Sequence, residues 1–224
     1  MPGRSNKSYD NLKIYKAVFQ SIMFEKEIID EYHHIKKVEG TYKIKGRDVL
    51  VETRLQGINV HPEGKPSKEI RLLSSSDVED YRFAVQVYDN IRKRIIEPDT
   101  IKISPNTIVN KIYFPETKVG EPIDFTIKKF WAGGIIGKKE YLYSIFRNLL
   151  RGIDYYHGAI LFDRVPLSYY ATTIDEKGEI KEIDVGLKGE NISHGEFCFK
   201  LECESTKPPS IIIINFILPK PALT

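Results

Sequence analysis

Hydrophobic residues recur along this chain at two different periods. Over residues 74–98, SSSDVEDYRFAVQVYDNIRKRIIEP, the positions Val78, Tyr81, Ala84, Val85, Tyr88, Ile91 and Ile95 fall at helical spacing. Ser76 with Glu79 has the form of a capping box, in which each side chain satisfies an amide that the first turn leaves orphaned. Asp77, Glu79 and Asp80 crowd the positive end of the dipole, Arg92, Lys93 and Arg94 the negative end, and Pro98 stops the run. The spacing predicts a helix there. A second is predicted from Asp10, with Leu12, Tyr15, Val18, Phe19, Ile22, Ile29, Tyr32 and Ile35 near one face. A third follows the glycines near residue 135, with Leu142, Ile145, Phe146, Leu149, Leu150 and Ile153 on one side and Lys139, Arg147 and Arg151 on the other.

Elsewhere the period is two, which is the signature of strands. Residues 41–44 and 48–60 read as a hairpin about Gly46, in which Val49, Val51, Thr53 and Leu55 alternate with Glu52, Arg54 and Gln56. Ile123, Phe125 and Ile127 alternate with Asp124, Thr126 and Lys128; Phe197, Phe199, Leu201 and Cys203 alternate with Lys200, Glu202 and Glu204. Further strands are expected at 100–103, 107–114, 159–162, 167–174 and 179–187, with Pro105 and Pro115 marking strand ends. Residues 211–218, IIIINFIL, show no alternation and so predict an interior strand covered on both faces. The sum is an α+β fold: a mainly antiparallel, sandwich-like core of about eight to ten strands with three helices packed on it. Residues 1–8 read as a flexible basic arm and 9–224 as a single α+β domain, with no internal repeat.

Composition narrows the function classes only a little. With 41% hydrophobic and 29% charged residues, the 224-residue chain lies in the globular range. Lys and Arg number 34 against 31 Asp and Glu, so the net charge of +3 gives no whole-molecule field, and attraction to nucleic acid or anionic lipid must come from local patches. Two cysteines make no disulfide framework, which points to a reducing, intracellular and cytoplasmic setting. No secretory leader and no apolar stretch of membrane-spanning length is read from the sequence.

Four candidate chemistries can be drawn from the residues. A metal-dependent nuclease of the restriction-enzyme type needs an acid on a helix, then a hairpin bearing an acid and a Glu-x-Lys pair, so that carboxylates hold Mg²⁺ or Mn²⁺ against a phosphodiester. Glu25 or Glu27, Glu39 or Asp48, and Glu52 with Arg54 could fill those places, although Arg54 stands where lysine is usual and Asp48 is close to Glu52. His194, Cys198 and Cys203 are the best zinc candidates, but Cys198 and Cys203 would face opposite sides of one strand. The run Gly133, Gly134, Gly137, Lys138, Lys139 before a helix could seat a phosphate, though it lacks Walker spacing. Basic and aromatic residues are interleaved around Arg92, Lys93 and Arg94, around Lys128 and Lys129, and from Lys138 and Lys139 to Arg147 and Arg151, a combination able to grip single-stranded nucleic acid.

None of these constellations is complete, so no cofactor is expected. The function class that remains is a non-enzymatic structural or interaction protein. It would self-associate as a homo-oligomer and contact RNA, DNA or an anionic membrane surface, as a virion-associated matrix or capsid-type protein does. The nuclease and a single-stranded nucleic-acid-binding module are the alternatives.

Overall fold

A computed structural model describes residues 33–60, 69–75, 82–104, 107–113, 117–137, 141–149, 152–175 and 177–220. In chain order the strands are β1 (His33–Lys45), β2 (Asp48–Asn59), β3 (Glu69–Ser75), β4 (Arg82–Asp89), β5 (Arg94–Ile96), β6 (Asp99–Ser104), β7 (Thr107–Tyr113) and β8 (Pro122–Ala132). They continue as β9 (Ile136–Gly137), β10 (Tyr141–Leu149), β11 (Ile153–Phe162), β12 (Ser168–Ile174), β13 (Ile180–Glu182), β14 (Lys188–His194), β15 (Phe197–Thr206) and β16 (Ile211–Pro219). Three sheets result: an eight-stranded one in the order β14-β15-β11-β1-β2-β8-β4-β5, a five-stranded one in the order β13-β12-β16-β10-β9, and a three-stranded one in the order β3-β7-β6. Every pairing is antiparallel except that of β1 with β11.

The large sheet has a dry face and a wet face, and its register keeps them separate from strand to strand. On the dry face Phe199, Phe162, Ile44, Val49 and Trp131 make one row, and Leu201, Ile160, Tyr42 and Val51 the next. These side chains meet Ile212, Ile214, Phe216 and Leu218 of β16 and Ala171 of β12, so the five-stranded sheet packs on that face. Phe162 touches Phe216 edge-on with ring centroids 4.9 Å apart. Farther along the same face, Val87, Ile123, Phe125 and Ile127 pack with Ile112 of β7, which brings in the three-stranded sheet. β16 is buried on both faces, as its uninterrupted isoleucines predict.

The expected α+β class with three helices is overturned: no helix occurs among the described residues, and the fold is β-rich with one mixed sheet. The stretch expected to form the organising helix carries a second period that prevails. Phe83, Val85 and Val87 alternate with Ala84, Gln86 and Tyr88, and β4 pairs with β8 from Arg82 to Asp89. Tertiary pairing outweighs the helical spacing of the same residues. Residues 141–149, expected on the third helix, pair along their whole length with β16. The body of the first helix, the basic arm and the capping box at Ser76 and Glu79 lie outside the described residues, and the end expected of that first helix, His33 to Lys37, opens β1 instead.

Two details hold the layers in place. Gly40 and Gly158 are adjacent in register; the ring of Tyr156 folds over Gly158, and the ring of Tyr42 lies beside Gly40, so that two buried tyrosines fill the space the missing side chains leave. Arg164 donates to the carbonyls of Pro219 (2.7 Å) and Gly46 (2.6 Å) and to both carboxylate oxygens of Asp163, tying the β1–β2 turn to the end of β16.

Candidate functional site

The wet face of the large sheet bears a series of charged side chains, and the register decides which meet. Glu52, Arg54 and Asp48 all lie on β2, spread along one strand at about 3.3 Å per residue, and each has its own partner. Asp48 accepts the Gly133 amide at 2.8 Å, Glu52 faces Lys128 at 3.4 Å, and Arg54 makes a bidentate bond to Asp124 at 3.0 and 2.6 Å. Glu39, opposite Arg54 in register, is paired with Lys37 at 2.8 Å. The acids proposed for a nuclease centre therefore do not converge among the described residues; Glu25 and Glu27 lie outside them. No group of three His, Cys, Asp or Glu side chains placed to hold a metal ion occurs among the described residues.

Asp124 is a hub. Its carboxylate accepts from Arg54, from Gln56 Nε2 (3.0 Å) and from Asn90 Nδ2 (2.6 Å). Burial by itself pushes this carboxyl up, but the three donors outweigh it and hold Asp124 below the usual range. On the other half of the face Glu202 accepts from His157 at 2.9 Å and pairs with Lys200 at 2.9 Å, which also reaches Glu190; hydrogen bonds from Lys200 and then His157 lower the Glu202 carboxyl. Tyr155 donates to Glu204 at 2.9 Å, and that bond raises the phenol. Sequence reasoning could not find the His157 and Glu202 pair, because the two residues become neighbours only through the register of β11 with β15.

The cations expected to bind anions part company. Arg92, Lys93 and Arg94 stand together at the turn between β4 and β5, at the end of the large sheet. Asp89, fully buried, builds that turn: its Oδ1 accepts the amides of Ile91 (3.1 Å) and Arg92 (3.0 Å), and its Oδ2 pairs with the Arg92 guanidinium (3.2 Å). Asn90 bonds to Asp124 and Thr126, which anchors the turn to β8. Lys93 adopts a left-handed backbone with φ of 53°. Neither Lys93 nor Arg94 has an ion-pair partner among the described residues. Ile91, Ile95 and Tyr88 beside them are 46%, 50% and 37% exposed.

The remaining candidates are scattered. Lys128 is paired with Glu52, and Lys129 lies half-buried on the opposite face. Arg147 belongs to β10 in the other large sheet, while Lys138, Lys139 and Arg151 lie outside the described residues. The glycine cluster leads into strands β9 and β10, so no helix N-terminus follows it; Ile135 instead exchanges hydrogen bonds with Arg47 and is buried in the core. Cys203 is buried and donates to the Val185 carbonyl at 3.6 Å, and burial pushes its thiol up to about 12; Cys198 lies on the other face of β15.

No protein-family model and no curated protein matches this sequence. Among solved structures, the fold is similar to that of a "putative nutrient binding protein" from Legionella pneumophila subsp. pneumophila, with a TM-score of 0.53, 8% identity, and coverage of 85% of this chain and 68% of that one. It is also similar to a "putative protease" from Parabacteroides distasonis, with a TM-score of 0.51 and 7% identity over 83% of this chain. This chain spans 40% of the length of the latter protein. At such identities the likeness is one of fold.

Proposed function

We propose that this chain is a non-enzymatic interaction module whose β4–β5 turn docks on a phosphate-bearing surface. One observation carries the reading: two cations without ion-pair partners among the described residues share a rigidly anchored turn with three exposed apolar side chains. Charge supplies attraction to phosphates, and Ile91, Ile95 and Tyr88 supply apolar contact to bases or acyl chains. The buried Asp89 carboxylate fixes the loop beforehand, so little ordering entropy is lost on contact. The polar wet face supports the same reading, since its acids are spent on lysine, arginine and histidine partners.

The test is fluorescence anisotropy with labelled single-stranded RNA and DNA, alongside co-sedimentation with phosphatidylserine and phosphatidylcholine vesicles. Binding that weakens as salt rises is expected in one of the anionic arms. Lys93→Glu/Arg94→Glu should weaken it and reduce the log–log salt slope by about 1.5, the loss of two phosphate contacts. Arg92 is left in place, because a carboxylate there would face the buried Asp89. No binding in any anionic arm at low salt, or unchanged affinity in the double variant, removes the reading.

A further inference from the structure

The end of the large sheet from which the β4–β5 turn projects carries a second tight turn. Asp89 lies opposite Phe125, and the Asn90 amide donates to the Asp124 carbonyl at 2.9 Å, so the β4–β5 turn leaves the sheet where β8 begins. β8 in turn begins beside the end of β2, with Pro122 opposite Ile58. Just before it, residues 118–121 fold back on themselves. The Glu121 amide donates to the Lys118 carbonyl at 3.0 Å, the Lys118 amide to the Glu121 carboxylate at 2.8 Å, and Gly120 takes a φ of 79°. Hydrogen bonds from the Gly120 amide to the Asn59 carbonyl (2.8 Å) and from the Asn59 amide to the Glu121 carbonyl (3.0 Å) fix this turn to the end of β2. Aliphatic side chains stand exposed at the neighbouring tips: Val119 by 54%, Ile91 by 46% and Val60 by 41%. Exposed cations flank them, Lys118 next to Val119, and Lys93 and Arg94 close to Ile91. The carboxylates of these turns are held inward: Asp89 is fully buried, Asp124 takes three donors, and Glu121 closes its own turn.

We infer that this end of the sheet docks on an anionic phospholipid bilayer. Val119, Ile91 and Val60 enter the boundary between headgroups and acyl chains, while Lys118, Lys93 and Arg94 pair with the headgroups. This docking rests on the phosphate-binding reading of the β4–β5 turn and adds to it the partner and a second point of contact. Side-chain chemistry favours a bilayer over a nucleic acid. Single strands are gripped by stacking their bases on aromatic rings, and the three tip side chains carry none. The exposed Tyr88 is set back on β4, beside Thr126. Aliphatic side chains offer no stacking face, but they gain by leaving water for hydrocarbon. Cations set immediately beside aliphatic tips match the order in which a membrane presents phosphate and then acyl chain. Both turns are held by their own hydrogen bonds, so contact need not order them first.

Co-sedimentation should show binding to mixed phosphatidylserine and phosphatidylcholine vesicles and little to phosphatidylcholine alone. Val119→Ser alters no charge and sits on an exposed turn; it should weaken vesicle binding about fivefold while the salt dependence and the far-UV spectrum stay unchanged. Lys118→Glu should weaken binding about fivefold or more and flatten its salt dependence. Depth is read with an NBD probe on Val119→Cys, in a Cys198→Ser background that leaves only the buried Cys203. Lipids carrying a doxyl quencher on the acyl chain should quench that probe. They should not quench the same probe on Glu196→Cys, at the opposite end of the sheet beside Lys45. Binding to single-stranded RNA or DNA without binding to the vesicles, undiminished vesicle binding by Val119→Ser, or equal quenching at positions 119 and 196 overturns the bilayer docking and leaves the phosphate reading of the β4–β5 turn standing. Absence of binding in every anionic arm removes both.

Discussion

Among individual residues, two acids of the wet face link protonation to stability. Asp124 is held below its usual range by three donors despite its burial, and Glu202 by Lys200 and His157. A folded-state value below the unfolded one means that the stabilisation is fully present above the unfolded pKa, near ~4, and is lost as pH falls through the folded value. The unfolding free energy should therefore fall as pH drops below about 4. Asp124→Asn/Glu202→Gln should be less stable than the parent at neutral pH and flatter in that acid range, as read by urea denaturation across pH. An acid dependence as steep as the parent's would assign the loss to other carboxylates. Glu202 lies in a partly exposed pair, so Asp124 should account for most of the difference.

At the scale of single strands, the pairing of Gly158 with Gly40 shows how backbone and side chain compensate each other. A methyl group at position 158 would run into the Tyr156 ring, which is almost fully buried and cannot swing into solvent. Gly158→Ala should cost about 1–3 kcal/mol, the usual scale of overpacking, measured as a shift in urea midpoint with unchanged slope. A neutral substitution would mean that the ring can move. Strands of this kind were legible in the sequence where one face is wet: β2, β8 and β15 alternate as read, and the isoleucine run of β16 announces burial on both sides. β4 and β10 were not. Their residues satisfy helical spacing and strand alternation together, and only the neighbouring strands β8 and β16 decide between the two. β14, KGENISH, has no hydrophobic pattern to detect, and its place comes from pairing with β15. The basic triplet at 92–94 was visible as charge, but its setting at the tip of a turn built on a buried aspartate was not, because a helix was expected in its place.

Taken as a whole, the molecule is joined through the middle of its large sheet. β1, β2, β8, β4 and β5 make one part of that sheet, β11, β15 and β14 the other, and the parallel contact of β1 with β11 unites them. Its register sets Ile35 beside Ile153 and Ile44 beside Phe162, so the central ladder closes a loop of more than half the chain. Such long-range pairing gives little reward until late in folding, and refolding from urea should take on the order of seconds or longer by stopped-flow fluorescence of Trp131, which sits beside this core. Complete refolding within milliseconds would contradict that expectation. The same ladder bears on birth at the ribosome. At ~5–20 residues per second, β1 emerges roughly ten seconds before β11 has been made, and for that interval its flank is bare. A nascent chain of this protein is thus committed to a wait, during which the pairing of β1 with β2 alone must keep another chain from taking the vacant position.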